Sequence, residues 1–566
     1  MTDALMPDAC DASPERPDHD AARDTGSERW ALAVFLGAEL VALIVFMALA
    51  RKMWFTTDEW EFLASRTAFN LGDLFRPHYD HWVTLPVLAY RALWWTFGLR
   101  SYRPYQLTIV LLHLTAALLV RAIMRRIGVR PWTATAVASV LVFFGTDFKN
   151  VISPFQITIV GSLVFGFVHM LLVARDDPTR RRDVWGVLAG GAGLMCSGVG
   201  VAMVIAVGVA VLVMRGWRSA LLQTAPLGVV YLTWYAVIGH QRSQGSLGYD
   251  TSISGIARFV GHLSSWTFSA MGQLFGVGAL LAALLAVGLT LAWAPLDRAG
   301  FRRQAAIPIG LLVGAVTFMV VTAVGRADLG SLHDFGNRYL SIVVALVLPA
   351  VGVAADVIMK RWRAAIPVVI ALLLVGIPGN VTAFARSTRD AVSADHEPGL
   401  REMILSLPRV PAAREVPPDV VPYPDGFTYL VTIGWLRAGA ASGRIPKPRQ
   451  ISPEQQAMDT LRLSFLQSSA RPRSTDVCAS LQRPIPFHLE TGEHIVVGAE
   501  NGAAQIDPIG PSVRGTLPFT TITQFGPTYT ATRPVRFRIR SLVSGRRLVC
   551  AAPASFPSGV RTFRPR

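Results

Sequence analysis

The sequence predicts a polytopic α-helical membrane protein of about eleven spans, followed by a smaller β-rich C-terminal domain. Three observations carry that prediction. Of the 566 residues, 52% are hydrophobic, and the mean hydropathy is +0.41. Apolar runs long enough to cross a bilayer recur between Trp30 and Phe384. From Arg386 onward the chain turns rich in Pro and Arg, with short alternating apolar stretches.

Residues 1–29 are polar and acidic, carry Pro7, Pro14 and Pro17, and show no hydrophobic period, which predicts a disordered cytoplasmic tail. The run 30–50 is too long for a cleaved leader and lacks a small-residue cleavage site, so it is expected to stay as an anchor. Spans are expected near 30–50, 105–124, 132–145, 158–174, 184–199, 200–214, 221–239, 275–293, 307–325, 341–358 and 366–384, a transmembrane domain over 30–384. The stretch 184–214 is short for two spans. Two short helices meeting near Ser197 and Gly198 are expected there, whereas one tilted helix would invert everything downstream.

Charge sets the orientation. Arg125 and Arg126, Arg180 to Arg182, Arg215 and Arg218, Arg302 and Arg303, and Lys360, Arg361 and Arg363 fall in loops on one side. The loops around Lys149, Arg242 and Arg338, on the other side, carry fewer cations. The positive-inside bias then puts the N-terminus in the cytoplasm and the C-terminus outside, in a multi-pass protein of the cell membrane. The same distribution accounts for much of the net charge of +17, so no nucleic-acid partner is expected.

A long first outer loop, 51–104, contains Leu85 to Leu99, apolar at helical spacing and rich in Trp and Tyr, which reads as an amphipathic helix on the membrane surface. Ser254 to Met271 reads the same way. Residues 385–470 form a connecting extracytoplasmic region. Residues 471–566 form the β-rich domain, where Val535, Phe537 and Ile539 alternate with Arg536, Arg538 and Arg540. Ser544-Gly545 then suggests a hairpin into the following RRLVC, and His494 to Glu500 another strand. Cys478 and Cys550 lie in this region, and an oxidising compartment would let them pair as a disulfide.

Three outer loops hold reactive side chains. The first has Asp58 and Glu59 amid Trp54, Phe55 and Trp60, then Arg76, His78, Tyr79, Asp80, His81 and Trp82. The second has Asp147, Lys149, Asn150 and Gln156. The third has Arg326, Asp328, His333, Asp334, Asn337, Arg338 and Tyr339. Acids are costly beside hydrocarbon and tend to persist there when a site uses them. A carboxylate can take the proton of an attacking hydroxyl, and Arg, Lys or His can neutralise a departing phosphate. This set suits sugar transfer from a lipid-phosphate donor outside the cytoplasm, where nucleotide sugars are not expected.

On these residues the chain resembles the GT-C superfamily of membrane glycosyltransferases, which includes protein O-mannosyltransferases, lipid A aminoarabinose transferases and actinobacterial polyprenyl-phosphate-sugar enzymes. The resemblance covers about residues 30–384. It rests on the acidic pair after the first span, the long first outer loop, and short paired spans beyond it. The stretch Pro77 to Trp82 is similar to the Pro-His-Asn-Gly-His-Trp pattern of actinobacterial members, with Tyr79 and Asp80 replacing Asn and Gly.

The resemblance implies a hexosyl- or pentosyltransferase in which Asp58 is the base and Glu59 and Asp147 assist. His333 and Arg338 would face the donor phosphate, and His78, His81, Lys149, Gln156 and Tyr339 would help bind substrates. Its implied partners are a polyprenyl-phosphate sugar donor, membrane lipid, and a cell-envelope glycan, lipid or protein acceptor. No cofactor is required by the spacing, and a divalent metal ion held by Asp58, Glu59 and Asp147 is compatible with it.

Plainer readings stay open on the residues alone. Asp58-Glu59 also suits a solvated helix start, His78 and His81 suit headgroup contacts, and Arg338 suits the start of a span. A transporter or flippase of lipid-linked sugars, or a membrane scaffold for the C-terminal domain, would use the same residue types without chemistry.

Overall fold

The computed structural model describes residues 19–56, 58–175, 177–240, 252–326, 337–394, 400–422, 430–468, 473–481, 485–497, 504–508, 517–519, 528–541 and 547–564. The helices run α1 His19–Leu49, α2 Leu71–Phe75, α3 Thr84–Thr96, α4 Arg103–Arg126, α5 Pro131–Val142, α6 Phe148–Ile152, α7 Ile157–Val173, α8 Arg180–Leu194, α9 Val199–Arg215 and α10 Trp217–Trp234. Then follow α11 Ile253–Gly272, α12 Val277–Trp293, α13 Arg298–Arg326, α14 Asn337–Arg361, α15 Ile366–Leu374, α16 Gly376–Ala394, α17 Leu400–Ser406, α18 Ile433–Ala441 and α19 Pro453–Leu463.

Among the described residues, eight helices are long and apolar enough to cross a membrane, or nine if α11 and α12, bent by 106° to each other, count as one broken span. This is a multi-pass helical membrane protein. The eleven expected spans include three shorter helices, α8, α9 and α12. The α11 segment, expected on the surface, lies nearly at right angles to α12.

The stretch 184–214 is a helical hairpin, not one tilted helix. At its base, Arg215 grips Asp183 with both guanidinium nitrogens at 2.9 Å and donates to the Val173 carbonyl. At its tip, the Met195 carbonyl accepts from the Leu85 N–H of the first loop. Thr179 starts the hairpin by accepting from the Arg182 N–H, a side-chain cap.

Contacts of this kind sort the bundle into two ends. At one, Arg121 and Arg125 pair with Glu28, Arg126 donates to the Ala174 carbonyl, and Arg130 and Lys360 hold Asp356. At the other gather the first loop, the 143–157 segment, the α8–α9 tip, the start of α14 and the α11–α12 corner. The core between them is apolar, with Leu346, Val351, Ala206, Leu311 and Phe167 all buried.

Three expectations are corrected. α1 begins at His19, inside the stretch 1–29 expected to be disordered, and its Glu28 is tied to the arginines of α4. The region 385–470 is more than a connector. Its α17 and α18 close over the first loop in one joint core of Trp60, Phe62, Tyr90 and Trp94 with Ile404, Leu407, Leu436 and Ile445. Trp94 stacks on Trp435 at 4.8 Å, and the Leu99 N–H donates to the Arg444 carbonyl at 2.8 Å. Full burial is worth about 1.5–3 kcal/mol for each large apolar side chain, so this core binds loop and tail firmly.

The third correction concerns the expected hairpin after Val535. The β domain begins at β1 Phe465–Ser468 and continues with β2 Val477–Leu481, β3 Ile485–Leu489, β4 His494–Val497, β5 Ala504–Pro508, β6 Leu517–Phe519, β7 Thr528–Ala531, β8 Val535–Ser541 and β9 Arg547–Ala551. The sheets run β1-β7-β4-β9-β2 and β3-β8-β5-β6, with every pairing antiparallel. β8 and β9 therefore lie in different sheets. Val535, Phe537 and Ile539 face a core shared with Phe465, Phe487 and Tyr529, while Arg536 and Arg538 face outward. Cys478 and Cys550 sit opposite each other on β2 and β9 and form a disulfide.

Candidate functional site

The run Asp58-Glu59-Trp60-Glu61 folds as a tight turn into a single π-helical turn, Glu61–Ser65. The Glu59 N–H donates to the Thr56 carbonyl and the Glu61 N–H to that of Asp58, both at 3.1 Å. Trp60 and Phe55 anchor the turn in the joint core. π-helical turns concentrate at functional sites because they re-aim side chains.

The three acids of this run have different fates. Glu59 is 0% exposed. It accepts from the Tyr90 hydroxyl at 2.7 Å, the Tyr102 hydroxyl at 2.9 Å and the Thr56 N–H at 2.9 Å. Burial pushes its carboxyl up to about 7 in spite of those bonds, and neighbouring Asp58 adds to the rise. Glu61 pairs with the buried Arg66 and with His78 Nδ1 at 2.5 Å. Burial alone would raise it, but the His78 bond and the His78 and Arg66 charges hold it at about 2. Asp58 is half-buried, and its carboxylate has no hydrogen-bond partner among the described residues.

Arg66 fastens the next stretch of the loop. It donates to the Arg76 carbonyl at 2.6 Å and the Pro77 carbonyl at 2.9 Å. His78 and His81 then exchange backbone hydrogen bonds at 3.0 and 2.9 Å, with Tyr79 and Asp80 at the corners of a two-residue turn. Tyr79 has φ +51°, at the corner where such turns favour Gly or Asn. Positive φ in an aromatic residue costs of order 1–3 kcal/mol. His81 lies against the α8–α9 tip, where a Cβ on Gly198 would stand 3.0 Å from its Nδ1. Trp82 stacks on Trp234 of α10 at 5.2 Å.

The second loop meets the first through Phe155, whose ring is 5.1 Å from both Phe62 and His78. Asp147 is 1% exposed. Its Oδ2 accepts from Asn150 Nδ2 at 2.7 Å and Ser341 Oγ at 2.6 Å, while its Oδ1 is buried without a hydrogen-bond partner among the described residues. Gly145 lets this loop abut α16, since a Cβ there would stand 2.0 Å from the Asn380 carbonyl oxygen. The Thr146 N–H and hydroxyl both donate to Asn380 Oδ1.

The third connection joins through the same asparagine: Asn150 Nδ2 also donates to the Arg338 carbonyl at 2.6 Å. Arg338 lies over the Tyr339 ring at 5.5 Å, and its Nε is buried without a hydrogen-bond partner among the described residues. Residues of all three loops therefore gather at one end of the bundle. Gln156 is buried, its Oε1 unpartnered among the described residues, whereas Lys149 is exposed. His333, Asp328 and Asp334 lie outside the described residues. Among the described residues no group of three or more acid, histidine or cysteine side chains is placed to hold a metal ion.

Glu61 and Arg66 are the groups that sequence reasoning passed over. Their five-residue spacing fits no helical or strand pairing rule, and His78, the other partner of Glu61, is 17 positions away.

No protein-family model matches the chain, and no curated protein sequence does. Three solved structures of the Archaeoglobus fulgidus oligosaccharyltransferase are similar in fold. One, tethered to an acceptor peptide containing the NVT sequon, is 12% identical with TM-score 0.40, covering 66% of this chain and 57% of that one. One in complex with zinc and sulfate is 13% identical with TM-score 0.43, covering 75% and 61%. The third, named AglB and bound to an inhibitory peptide and a dolichol-phosphate, is 14% identical with TM-score 0.42, covering 76% and 63%. The chain thus spans about three fifths of the length of these structures.

Proposed function

We propose that the chain is a GT-C type glycosyltransferase that moves a sugar from a polyprenyl-phosphate-linked donor to a cell-envelope glycan, lipid or protein acceptor. The observation that carries this reading is the contrast within one turn. Glu59 and Glu61 are each committed to buried partners, and Asp58 alone keeps its carboxylate free among the described residues. A base needs that freedom.

In the proposed step the acceptor hydroxyl oxygen attacks the anomeric carbon of the donor. Asp58 takes the hydroxyl proton, and the bond from that carbon to the phosphate oxygen breaks. The lipid phosphate leaves with the bonding pair, and Arg338, with His333, meets its charge. Asp147 holds the second loop to Arg338 through Asn150. Glu59 supports the turn from beneath, and His78 and His81 fix the wall beside it.

The arginine-rich end faces the cytoplasm in this reading, by the positive-inside bias, and the three loops and the β domain face outward. The Cys478–Cys550 disulfide supports that side, since such bonds persist in oxidising compartments. The test is Asp58→Asn in membranes supplied with a lipid-linked sugar donor. Transfer at the wild-type rate would overturn the assignment.

A further inference from the structure

At the same end of the bundle as the three loops, the end of α1 and the second half of α16 enclose a cleft of ≈ 500 Å³. Its apolar wall is Ala48, Leu49 and Ala385, and its rim carries Arg51, Lys52 and Arg389. Both parent spans present most of their apolar surface outward, each with 22% of its window buried, so the cleft opens toward lipid. Apolar wall below and guanidinium and ammonium groups above is the chemistry of a lipid chain ending in a phosphate.

Span ends often carry cations that merely reach headgroups. Two features set these apart. They come from two segments far apart in the sequence and close on a concavity, and they lie at the end of the bundle opposite the arginine clusters. The cleft adjoins the start of the first loop, and the helix that forms its other wall is tied to the second loop. Asp58 follows Lys52 by one short connection, and Asn380, a few residues before Ala385, carries Thr146 beside Asp147.

We propose that this cleft is the docking seat where the phosphate of a polyprenyl-phosphate carrier first binds as it enters from the bilayer. The inference rests on the donor class proposed above, but not on Asp58 acting as base. A carrier seated here has its chain along α1 and α16 and its head beside the Asp58 turn. Removing the rim charges therefore weakens carrier binding and leaves the chemical step intact.

The test uses the full chain in nanodiscs of neutral lipid, titrated with a polyprenyl phosphate bearing no sugar and, separately, with phosphatidylglycerol. Replacing the rim together, Arg51→Gln, Lys52→Gln and Arg389→Gln, should weaken polyprenyl-phosphate binding by about tenfold or more and phosphatidylglycerol binding less. Arg51→Lys with Arg389→Lys should retain binding. Ala385→Trp, which fills the cleft without removing charge, should weaken the carrier too and raise the donor KM with little change in kcat. Asp58→Asn should bind the carrier like the wild type, so a failure of the base assignment leaves this readout untouched. Unchanged carrier affinity in both the rim and Ala385→Trp variants overturns the proposal. Equal loss of both lipids also overturns it, marking a general anionic-lipid contact.

Discussion

His78 Nδ1 and a carboxylate oxygen of Glu61 lie 2.5 Å apart, joining the π-helical turn behind Asp58 to the two-histidine turn that follows. Arg66 closes the same knot from below. The geometry of the acidic turn therefore depends on groups that need not touch a substrate.

Acid should loosen this knot. The Glu61 carboxyl is held at about 2 against a usual 4.5, so its stabilisation is complete above about pH 4.5 and is lost as pH falls toward 2. Glu61→Gln should lower the melting temperature at pH 6 and flatten its dependence on pH over that acid window. Arg66→Met, which leaves Glu61 to His78 and takes the buried donor from the Arg76 and Pro77 carbonyls, should cost about 3–5 kcal/mol, read by thermal unfolding in detergent.

Glu59 should behave oppositely. Its folded carboxyl is raised to about 7, so its favourable contribution is present below about pH 4.5 and is lost as pH rises through 7. Glu59→Gln keeps the neutral form at every pH. It should unfold at a higher temperature than the wild type at pH 8 and retain sugar transfer. Asp58→Asn should instead lower kcat by about a hundredfold or more with unfolding little changed. Transfer assays on the two variants side by side separate base from support.

Gly198→Ala should act on the site from a distance. The new methyl carbon would stand 3.0 Å from His81 Nδ1 and push the His78–His81 turn away from the α8–α9 tip. Transfer should fall on the order of tenfold to a hundredfold while far-ultraviolet dichroism stays unchanged.

Much of the bundle was legible because hydrophobic runs set spans locally, and the break near Ser197-Gly198 was legible through charge, since one tilted helix would have put the later arginine clusters on the wrong side. The acid pair was legible too, but its division of labour was not. Only the distant hydroxyls of Tyr90 and Tyr102 make Glu59 a buried support. The joint core of the first loop with α17 and α18 left no trace in either segment, since Trp94 and Trp435 each look like an ordinary interfacial aromatic. Ser544-Gly545 announced a turn without saying that β9 would pair with β2 and β4 instead of β8, which is a matter of sheet packing.

The disulfide should guard the sandwich alone. It closes a sequence separation of 72 residues between β2 and β9, and losing it should cost that domain about 2–5 kcal/mol. Cys478→Ala with Cys550→Ala should speed proteolysis after Phe465 and leave cleavage within the helical bundle unaltered.

The first loop's aromatic rings are covered by a segment made much later, as the bond from Arg100 to the Gly443 carbonyl, 343 positions on, makes plain. At the usual pace of translation the ribosome needs roughly 20–70 seconds to reach that partner. Through that interval Trp60 and Trp94 lack Trp435, the ring that packs on both in the finished fold. A chain that stalls midway is left with bare indoles where the finished protein holds its acid turn.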